Sequence, residues 1–293
     1  MKFLTAIFYY GFIIPISHLP FRVLYVISDG LYFIIYRVVG YRKKVVLQNI
    51  ARSFPAKTKA EQKQIVKKFY RHLCDLVVES LKVFTISQAE VSQRMKVANP
   101  AFMDRFYEQG KTVIMAGGHY NNWELFAVAI DASIRHKAVA IYKPLTSLFF
   151  DKKMRESRSK YGLEMISTKK VEEEFKRDNA PLRAIIFAFD QSPRSAKRSY
   201  WSTFLNQDTA MLFGVEKYAK EYNLPVVYAR INKVSRGHYI TEFVESIEDP
   251  GNTNYGEITE RMNDLLENDI LRQPEYWSWS HKRWKHTRPQ QES

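Results

Sequence analysis

The stretch "MAGGHYNNWELF" places a histidine, His119, five positions before a glutamate, Glu124. A carboxylate that accepts a hydrogen bond from one imidazole nitrogen leaves the other nitrogen free to take a proton from a hydroxyl, which is general-base chemistry. On one continuous helix the two side chains would be rotated by about 140° and would not share a face. With His119 in a loop and Glu124 in a first helical turn they can meet. We therefore interpret His119 as a candidate catalytic base and Glu124 as the carboxylate that orients it.

The residues around this pair fit a turn that leads from a strand into a helix. Gly117 and Gly118 allow the backbone to turn tightly and to approach a ligand closely. Asn122 is predicted to cap the helix that starts at Trp123, and we also count it among the candidate substrate-binding residues.

A purely structural interpretation of this motif remains open. The helix dipole favours a glutamate in a first turn, and a histidine before a helix is often only a hydrogen-bonded loop residue. Other chemistries have less support. The sequence contains no G-x-S-x-G nucleophile elbow, no G-x-x-x-x-G-K-[ST] phosphate loop, no G-x-G-x-x-G and no H-E-x-x-H.

Beyond residue 110, short apolar runs alternate with amphipathic stretches. Strands are predicted for "KTVIMAGGH", "KAVAIYKP", "PLRAIIFAFDQ" and "LPVVYARINKV", and "HYITEFVESI" is predicted to pair antiparallel with the last of them through an "SRG" turn. Helices are predicted for "NWELFAVAID", "LFFDKKMRESRSKYG", "TAMLFGVEKYAKEYN" and "EITERMNDLLENDILRQ". The alternation predicts an α/β fold with a mostly parallel central sheet and helices on both faces. His119 then follows the carboxyl end of a strand, where such folds bind ligands.

The N-terminal region has the composition of a membrane-associated segment. Residues 3–21, "FLTAIFYYGFIIPISHLPF", contain no Lys, Arg, Asp or Glu, although Pro15 and Pro20 argue against one straight helix. The next stretch is apolar and tyrosine-rich but is interrupted by Asp29 and Arg37, which favours an interfacial or protein-packed helix. We therefore divide the chain into a membrane-associated helical region, 1–40, and a catalytic domain, 41–293.

The positive charge of the chain is concentrated in two segments. The net charge is +14; residues 42–71 hold ten Lys or Arg against one acid, and residues 281–288 add four basic residues and no acid. Dense positive charge directly after an apolar, aromatic anchor is typical of a domain that is held on an anionic membrane surface at the cytoplasmic face. Nucleic acid is not expected as a partner, since binding to it has no use for such an anchor.

The single cysteine, Cys74, limits the redox and metal chemistry. One cysteine excludes an internal disulfide and any multi-cysteine zinc cluster, and it is compatible with a reducing compartment. Its helical spacing among apolar residues predicts a buried core residue and not a nucleophile. We expect neither a metal nor a cofactor.

The motif and its surroundings resemble a known family. "GGHYNNWE" is similar to the H-x-x-x-x-[DE] acyltransferase motif, and four further stretches match the lipid A biosynthesis acyltransferases, the late lauroyl and myristoyl transferases, in order. These stretches are "RKKVVLQNIARSFP", "IYKPL", "FDQSPR" and "PEYWSWSHKRWKHTRP", and together they extend from about residue 40 to the C-terminus.

The resemblance implies an enzyme at the cytoplasmic face of the bacterial inner membrane. Such an enzyme moves a fatty acyl chain from acyl carrier protein to a hydroxyl of a glycolipid acceptor. His119 maps to the base and Glu124 to its orienting residue. The acceptor hydroxyl attacks the thioester directly, which agrees with the lack of a nucleophile elbow.

Further site residues follow from the same resemblance. Lys143 stands where the family often has arginine, and it would meet an acceptor phosphate or the developing oxyanion as a point charge. Asn121 replaces the usual glycine, and "FDQSPR" departs from the commoner D-Q-D form, so the mode of acceptor recognition stays open. The remaining candidates for substrate binding are Asp190, Gln191, Arg194, Phe204 and Arg283.

Structural roles compete with these assignments. The turn that holds Asp190, Gln191 and Arg194 can be stabilised by its own side chains. Phe204 and its neighbour Leu205 are candidates for an acyl groove or for plain core. The tryptophans of "PEYWSWSHKRWK" are candidates for the membrane interface, for pocket closure or for packing of the C-terminal segment.

Three classes of function are compatible with the sequence. The first is a lipid A type acyltransferase, and the second is a relative that acylates another membrane lipid, such as an amino-acid lipid, a glycolipid or a lysophospholipid. The third is a non-catalytic lipid-binding or scaffold protein that kept the fold. The intact pair of His119 and Glu124 disfavours the third class.

Overall fold

The N-terminal region forms two helical arms. The computed structural model describes residues 2–177, 181–196 and 199–289. In the first arm, α1 (Lys2–Phe8) continues through a π-helical turn into α2 (Ile14–His18); in the second, α3 (Phe21–Tyr32) continues through the π-helical segment Phe33–Val39. Pro15 lies just after the π-helical turn, where the hydrogen-bond pattern of the first arm changes from π-helical to α-helical. The first arm ends at His18, because Leu19, the residue before Pro20, has an extended backbone.

The two arms are short for a membrane span. Within the described residues, no single helix has both the length and the hydropathy to cross a bilayer. The arms, Leu4–His18 and Phe21–Val39, satisfy these criteria only as a pair, and they are bent by 119° at the break between them.

A helical layer links the arms to the sheet. It consists of α4 (Lys43–Ser53), α5 (Lys59–Lys82), α6 (Gln88–Arg94) and α7 (Ala101–Glu108). The short strand β1 (Met95–Val97), between α6 and α7, belongs to the sheet. Thr58 and Glu61 form a capping box that fixes the start of α5. The second arm packs on α5, where Tyr25 Oη donates to Glu79 and Ser28 Oγ donates to Asp75.

The rest of the chain largely alternates between strands and helices, as the sequence predicts. It also contains three strands and a short helix that the sequence did not predict, at Glu164–Ser167, Tyr200–Phe204, Gln207–Met211 and Val171–Phe175. In chain order the elements are β2 (Val113–Gly117), α8 (Trp123–Ala129), β3 (Lys137–Tyr142), α9 (Leu148–Ser159), β4 (Glu164–Ser167), α10 (Val171–Phe175), β5 (Arg183–Ala188), β6 (Tyr200–Phe204), β7 (Gln207–Met211), α11 (Gly214–Tyr222), β8 (Val226–Ser235), β9 (His238–Ile247) and α12 (Glu257–Arg272).

The central sheet is mostly parallel, which confirms the predicted α/β class. It has seven strands in the order β1-β9-β8-β2-β5-β3-β4. The five strands from β8 to β4 run parallel to one another, while β9 pairs antiparallel with β8 through the predicted "SRG" turn and parallel with β1.

Helices cover both faces of this sheet, also as predicted. On one face, Ile114 and Ala116 of β2 pack against α11 and α12. On the other face, the alternate residues Val113 and Met115 pack against α6, α7 and α8. The central strand β2 is therefore buried on both sides, as strands of parallel sheets generally are.

One predicted helix starts later than its sequence indicates. The pattern of "TAMLFGVEKYAKEYN" predicts a helix throughout, but Thr209 belongs to β7 and the helix α11 begins only at Gly214. The strands β6 and β7 form a separate antiparallel hairpin, and the turn residues Leu205 and Asn206 both have positive φ angles. Pairing with β6 therefore overrides the local helical pattern of these residues.

Candidate active site

The sheet opens between β3 and β5 at the carboxyl ends of these strands. The two strands pair only from Lys137 with Arg183 to Ala140 with Ile186. Beyond that point, β5 stays paired with β2 and β3 stays paired with β4. The strands therefore diverge, and an open fork forms at the edge of the sheet where α/β folds bind their ligands.

A cavity of about 630 Å³ occupies this fork. Its walls are mainly apolar and come from both faces of the sheet, because α8 and Met165 line one side while Val215 and Tyr218 of α11 line the other. His119, Lys143 and Gln191 are among the few polar groups in the wall. A mainly apolar cavity of this volume with a small number of polar groups is suited to an acyl chain that carries one reacting end.

His119 lies beside Asp190 because their strands are neighbours. Gly117 at the end of β2 pairs with Ala188 at the end of β5, so the residues two positions further along meet across the strand ends. The Nδ1 atom of His119 lies 2.7 Å from Oδ1 of Asp190. The backbone N–H of His119 donates to Oδ2 of Asp190 at 2.9 Å.

Asp190 is held rigidly from a second direction. The indole Nε1–H of Trp277 donates to Oδ2 of Asp190 at 2.8 Å, and the carboxylate is only 3% exposed. Because Nδ1 of His119 faces a carboxylate, the neutral ring carries its proton there and leaves Nε2 as a lone-pair acceptor. The amide Nε2 of Gln191 lies 3.3 Å from that nitrogen.

The electrostatics of the two residues are coupled. Burial opposes the charged form of His119, but the charge and hydrogen bond of Asp190 outweigh it, and the pKa of His119 lies above its ordinary value. Burial likewise acts to raise the pKa of Asp190. The charge and hydrogen bonds of His119 and the bond from Trp277 prevail and lower that pKa to about 2. Asp190 is therefore an anion at neutral pH, and it stabilises a proton gained by His119.

Glu124 does not occupy the position that the sequence predicted for it. Arg158 of α9 donates to Glu124 in a bidentate pair, with Nε to Oε2 at 2.8 Å and Nη2 to Oε1 at 2.5 Å. The predicted hydrogen bond from His119 to Glu124 is thus wrong, and Asp190 fills that place. The reason is directional, because Glu124 in the first turn of α8 faces α9 while His119 faces the end of β5.

The departure from glycine at Asn121 has a conformational basis. Asn121 has a φ angle of +56°, a left-handed conformation that asparagine tolerates better than most residues. Its Nδ2 atom donates to the carbonyl of Ile231 at 2.7 Å. Gly118 lies close to α12, since a Cβ atom there would be 2.8 Å from the Leu266 side chain and a larger residue would require that side chain to move.

Asn122 caps α8, which confirms the predicted cap, but it is not in a position to bind a substrate. Its Oδ1 accepts from the Leu125 backbone at 2.8 Å, and its Nδ2 donates to Glu79 at 2.6 Å. The side chain is fully buried, and the cavity wall does not include it. The sequence alone does not distinguish a helix cap from a substrate contact, because the same side-chain amide of asparagine can make either.

The other predicted site residues lie in the cavity wall, on the surface outside it, or in the core. Lys143 and Gln191 line the cavity and are exposed, whereas Arg194 is exposed but lies outside the cavity wall. Phe204 and Arg283 do not line the cavity either. Phe204 packs on Trp277 at 5.7 Å, and Arg283 donates to the Ala210 carbonyl at 2.7 Å.

The C-terminal tryptophans pack inside the protein. Trp277 and Trp279 are 2% and 0% exposed, which rules out the membrane-interface interpretation for both of them. Trp277 nevertheless contributes to the site through its bond to Asp190. Trp284 donates its indole N–H to Thr209 of β7 at 2.8 Å.

Three further residues at the site were not predicted from the sequence. Arg158 lines the cavity and binds Glu124, and Trp123 stands edge-on to His119 with ring centroids 5.2 Å apart. His281 accepts a hydrogen bond from the Ser192 backbone at 3.1 Å and so supports the turn that follows Asp190. Burial lowers the pKa of His281, despite the opposing charge of Asp190, which keeps its ring a neutral acceptor. Of the three, only Trp123 could have been placed near His119 from the sequence, because it lies in the first turn of the predicted helix.

Among the described residues, no group of three or more His, Cys, Asp or Glu side chains is arranged to hold a metal ion. The polar groups of the site include the imidazole of His119, the two carboxylates, the guanidinium of Arg158, the amide of Gln191 and the ammonium of Lys143.

Comparison with known proteins agrees with this chemistry. A family model described as bacterial lipid A biosynthesis acyltransferase matches residues 1–286, which is nearly the whole chain. A search of curated protein sequences gave no match.

Proposed function

The chain belongs to the bacterial lipid A biosynthesis acyltransferases and is an acyltransferase enzyme with a lipid A type acceptor. From this premise we propose that it transfers a fatty acyl chain from acyl carrier protein to a hydroxyl of a lipid A precursor, with His119 as the general base. The observation that carries the proposal is the pairing of His119 with buried Asp190 at the wall of an apolar cavity.

The proton transfers follow from the hydrogen bonds. Asp190 holds the proton of His119 on Nδ1, so Nε2 takes the proton of the acceptor hydroxyl as the oxygen attacks the thioester carbonyl. The tetrahedral intermediate collapses with loss of the carrier thiolate, and the imidazolium returns the proton to that sulfur. Gln191 lies close enough to Nε2 to donate its amide hydrogen to the acceptor oxygen or to the oxyanion.

Glu124 retains a catalytic role in this proposal, but it acts at a distance. Its negative charge favours the protonated form of His119, in the same sense as Asp190. It also fixes Arg158 in the cavity wall, where the guanidinium stands near the reacting groups. Lys143 supplies a second, exposed cation for the acceptor phosphate.

The surface supports action at the cytoplasmic face of the inner membrane. Both helical arms expose large apolar side chains, and Leu4 and Val26 are 70% and 72% exposed. The basic residues of 42–71 follow directly along the chain. Apolar insertion combined with positive charge is the pattern of a protein held on an anionic membrane surface.

The acceptor is tested by mass spectrometry of lipids from cells that lack the protein. We expect lipid A to lose one acyl chain and the wild-type gene to restore it. The His119→Ala gene should fail to restore the chain although its product accumulates. Loss of an acyl chain from another membrane lipid would instead identify a different acceptor, and an unchanged lipid profile would contradict the proposal.

The donor is tested with purified protein and a lipid A precursor. Transfer from acyl carrier protein should exceed transfer from the coenzyme A thioester at equal concentration. The reverse preference would exclude the carrier protein as the donor without affecting the assignment of the acceptor.

Membrane attachment is tested by substitution more cleanly than by truncation. Deletion of residues 1–39 would remove Leu24 and Tyr36, which are buried, and would disturb the fold as well as the attachment. Replacing Leu4 and Val26 by serine changes only exposed surface. We expect these variants to release part of the protein in low salt and most of it in high salt, because basic residues hold the remainder. Full retention in high salt would contradict this assignment.

A further inference from the structure

The exposed apolar side chains of the protein are concentrated in one region. Of the nineteen large hydrophobic side chains that are exposed in the described part of the chain, thirteen lie between residues 4 and 47. Two of the remaining six, Leu145 and Leu148, stand close together at the start of α9 and are 47% and 74% exposed. They belong to the catalytic sheet region and not to the helical arms.

Aromatic contacts join these leucines to the first arm. The ring of Tyr9 lies 5.5 Å from that of Phe149 and 6.4 Å from that of Phe150, and Tyr10 lies 6.3 Å from Phe149. Leu148 directly precedes these phenylalanines. Tyr9 is buried by these contacts, whereas Tyr10 is exposed, so the exposed surface of the first arm adjoins the start of α9 at Tyr10.

The loop that carries the leucines is fixed from the inside. Asp151, only 8% exposed, accepts hydrogen bonds from the Leu145 backbone at 2.8 Å and from the Tyr142 hydroxyl at 3.3 Å. Arg155 donates to the same carboxylate at 3.2 Å. Because the backbone is held, the leucine side chains stay on the surface although water does not favour them there.

The position of the loop relates it to the site. Leu145 and Lys143 both line the cavity, so this edge of the cavity wall is also protein surface. Lys143 is exposed on one side of the leucines, and Lys152, whose side chain is 69% exposed, lies one helical turn after Leu148. Leucines between exposed lysines match the layering of a bilayer, with hydrocarbon below anionic headgroups.

We propose that residues 145–148 insert into an anionic lipid bilayer beside the first helical arm, so that the cavity opens onto lipid. The inference rests on the proposed membrane attachment and adds to it a second, separate insertion point. A lipid acceptor then reaches His119 along the membrane surface, and its chains need not cross water. The cationic flanks and the continuity with the apolar arm favour a bilayer over a protein partner.

The single cysteine makes a direct test possible. Cys74 is fully buried, so a fluorescent probe that senses polarity can be attached to one introduced cysteine. The informative variant is Leu148→Cys. Val26→Cys reports on the second arm. Gln109→Cys is the control, because Gln109 is exposed and precedes the amino end of β2, whereas His119 follows its carboxyl end.

The probes are read with vesicles of phosphatidylglycerol and phosphatidylethanolamine. At position 148 we expect a blue shift, a several-fold rise in emission and quenching by nitroxide-labelled acyl chains, whereas the probe at 109 should not respond. A response at 26 without one at 148 would overturn the insertion of residues 145–148 while membrane attachment stands. No change in emission from the probes at 26 and 148 would contradict the proposed membrane attachment itself.

A charge substitution provides the second test. Leu148→Glu should weaken binding to the same vesicles about tenfold or more, since it replaces an inserted leucine by an anion. Tyr255→Glu is the matched control, because Tyr255 is also 74% exposed but belongs to neither apolar segment. Equal affinities of the two variants would overturn the proposal. Weakened binding to a protein partner with unchanged vesicle binding would identify residues 145–148 as a protein interface instead.

Discussion

Two carboxylates lie near His119, and the regions that carry them differ in how they reach it. Asp190 follows β5, lies 71 residues away in the chain, and forms hydrogen bonds with both Nδ1 and the backbone N–H of His119. Glu124 lies in the first turn of α8, five residues away, and forms its hydrogen bonds with Arg158 of α9. The distant residue makes the contact, and the near one does not.

The difference follows from the geometry of a parallel sheet. Neighbouring strands end side by side, so residues just past their ends meet whatever their distance along the chain. A residue in the first turn of a helix is directed by the helix axis, which carries Glu124 toward the adjacent helix. In this site, strand adjacency decides the partner of the histidine, and helix packing decides the partner of the glutamate.

The largest effect that separates the two carboxylates is expected for Asp190→Asn. An amide at this position favours the wrong tautomer of His119, so kcat should fall by about 10³ to 10⁴-fold. The measurement is steady-state acyl transfer together with the thermal unfolding temperature.

Asp269→Asn is the matched control for this prediction. Asp269 is an equally buried carboxylate, bound by Arg230 at 2.6 Å and Tyr228 at 2.9 Å, and it makes no contact with His119. It should lower the melting temperature and leave kcat nearly unchanged. Similar losses of kcat in both variants would show that Asp190 matters only for folding.

A smaller effect is expected for Glu124→Gln, which should lower kcat by about 10 to 10²-fold. The substitution removes a negative charge near His119 but leaves the tautomer of His119 unchanged. The double variant Glu124→Gln, Arg158→Gln sharpens this prediction. If the unpaired guanidinium causes the loss, the double variant recovers part of the activity; if the charge of Glu124 itself is needed, it does not. A loss as large as that of Asp190→Asn would contradict the distinction between the two carboxylates.

The pH profile gives a further difference. His119 acts as a base only when neutral, so kcat/KM should rise with pH through a pKa that lies above the ordinary value of 6.5. Glu124 favours the charged ring, so Glu124→Gln should move this rise to lower pH. An unmoved or upward-shifted profile in the variant would contradict the electrostatic role of Glu124.

The smallest effect on activity is expected for Asn122→Ala, which acts on the helix and not on the base. The substitution removes the acceptor that caps α8 at the Leu125 N–H, and it removes one hydrogen-bond donor to the buried carboxylate of Glu79. The free energy of unfolding should therefore fall by about 1–3 kcal/mol. Ser147→Ala is the control. Ser147 caps α9 through a hydrogen bond of 3.5 Å from the Phe150 N–H, and its loss should lower the free energy of unfolding by less. Equal losses in denaturant unfolding would show that the contact with Glu79 contributes little.

Much of the fold was predictable because its signals are local. Apolar runs of strand length and amphipathic helices gave the α/β class, and the position of His119 after a strand followed from the same pattern. The β6–β7 hairpin was missed because "TAMLF" carries no periodicity that distinguishes a strand from a helix, and its pairing partner decides the outcome.

The site was predictable in its residue types but not in its contacts. His119, Asp190, Gln191 and Lys143 all line or support the cavity, as expected from motifs. Which carboxylate binds His119 depends on strand order, and one sequence does not contain that order. The burial of Phe204 and Arg283 depends in turn on how the C-terminal segment packs, which is a tertiary property.

The central claim is that His119 and Asp190 act as one unit in general-base catalysis. It is tested most directly by single-turnover acyl transfer to a lipid A precursor in His119→Ala, Asp190→Asn and the double variant, each checked for folding. We predict that His119→Ala lowers the rate by about 10² to 10⁴-fold and that the double variant is no slower than the slower single one. Near-normal turnover in well-folded His119→Ala, or losses that multiply in the double variant, would contradict this account.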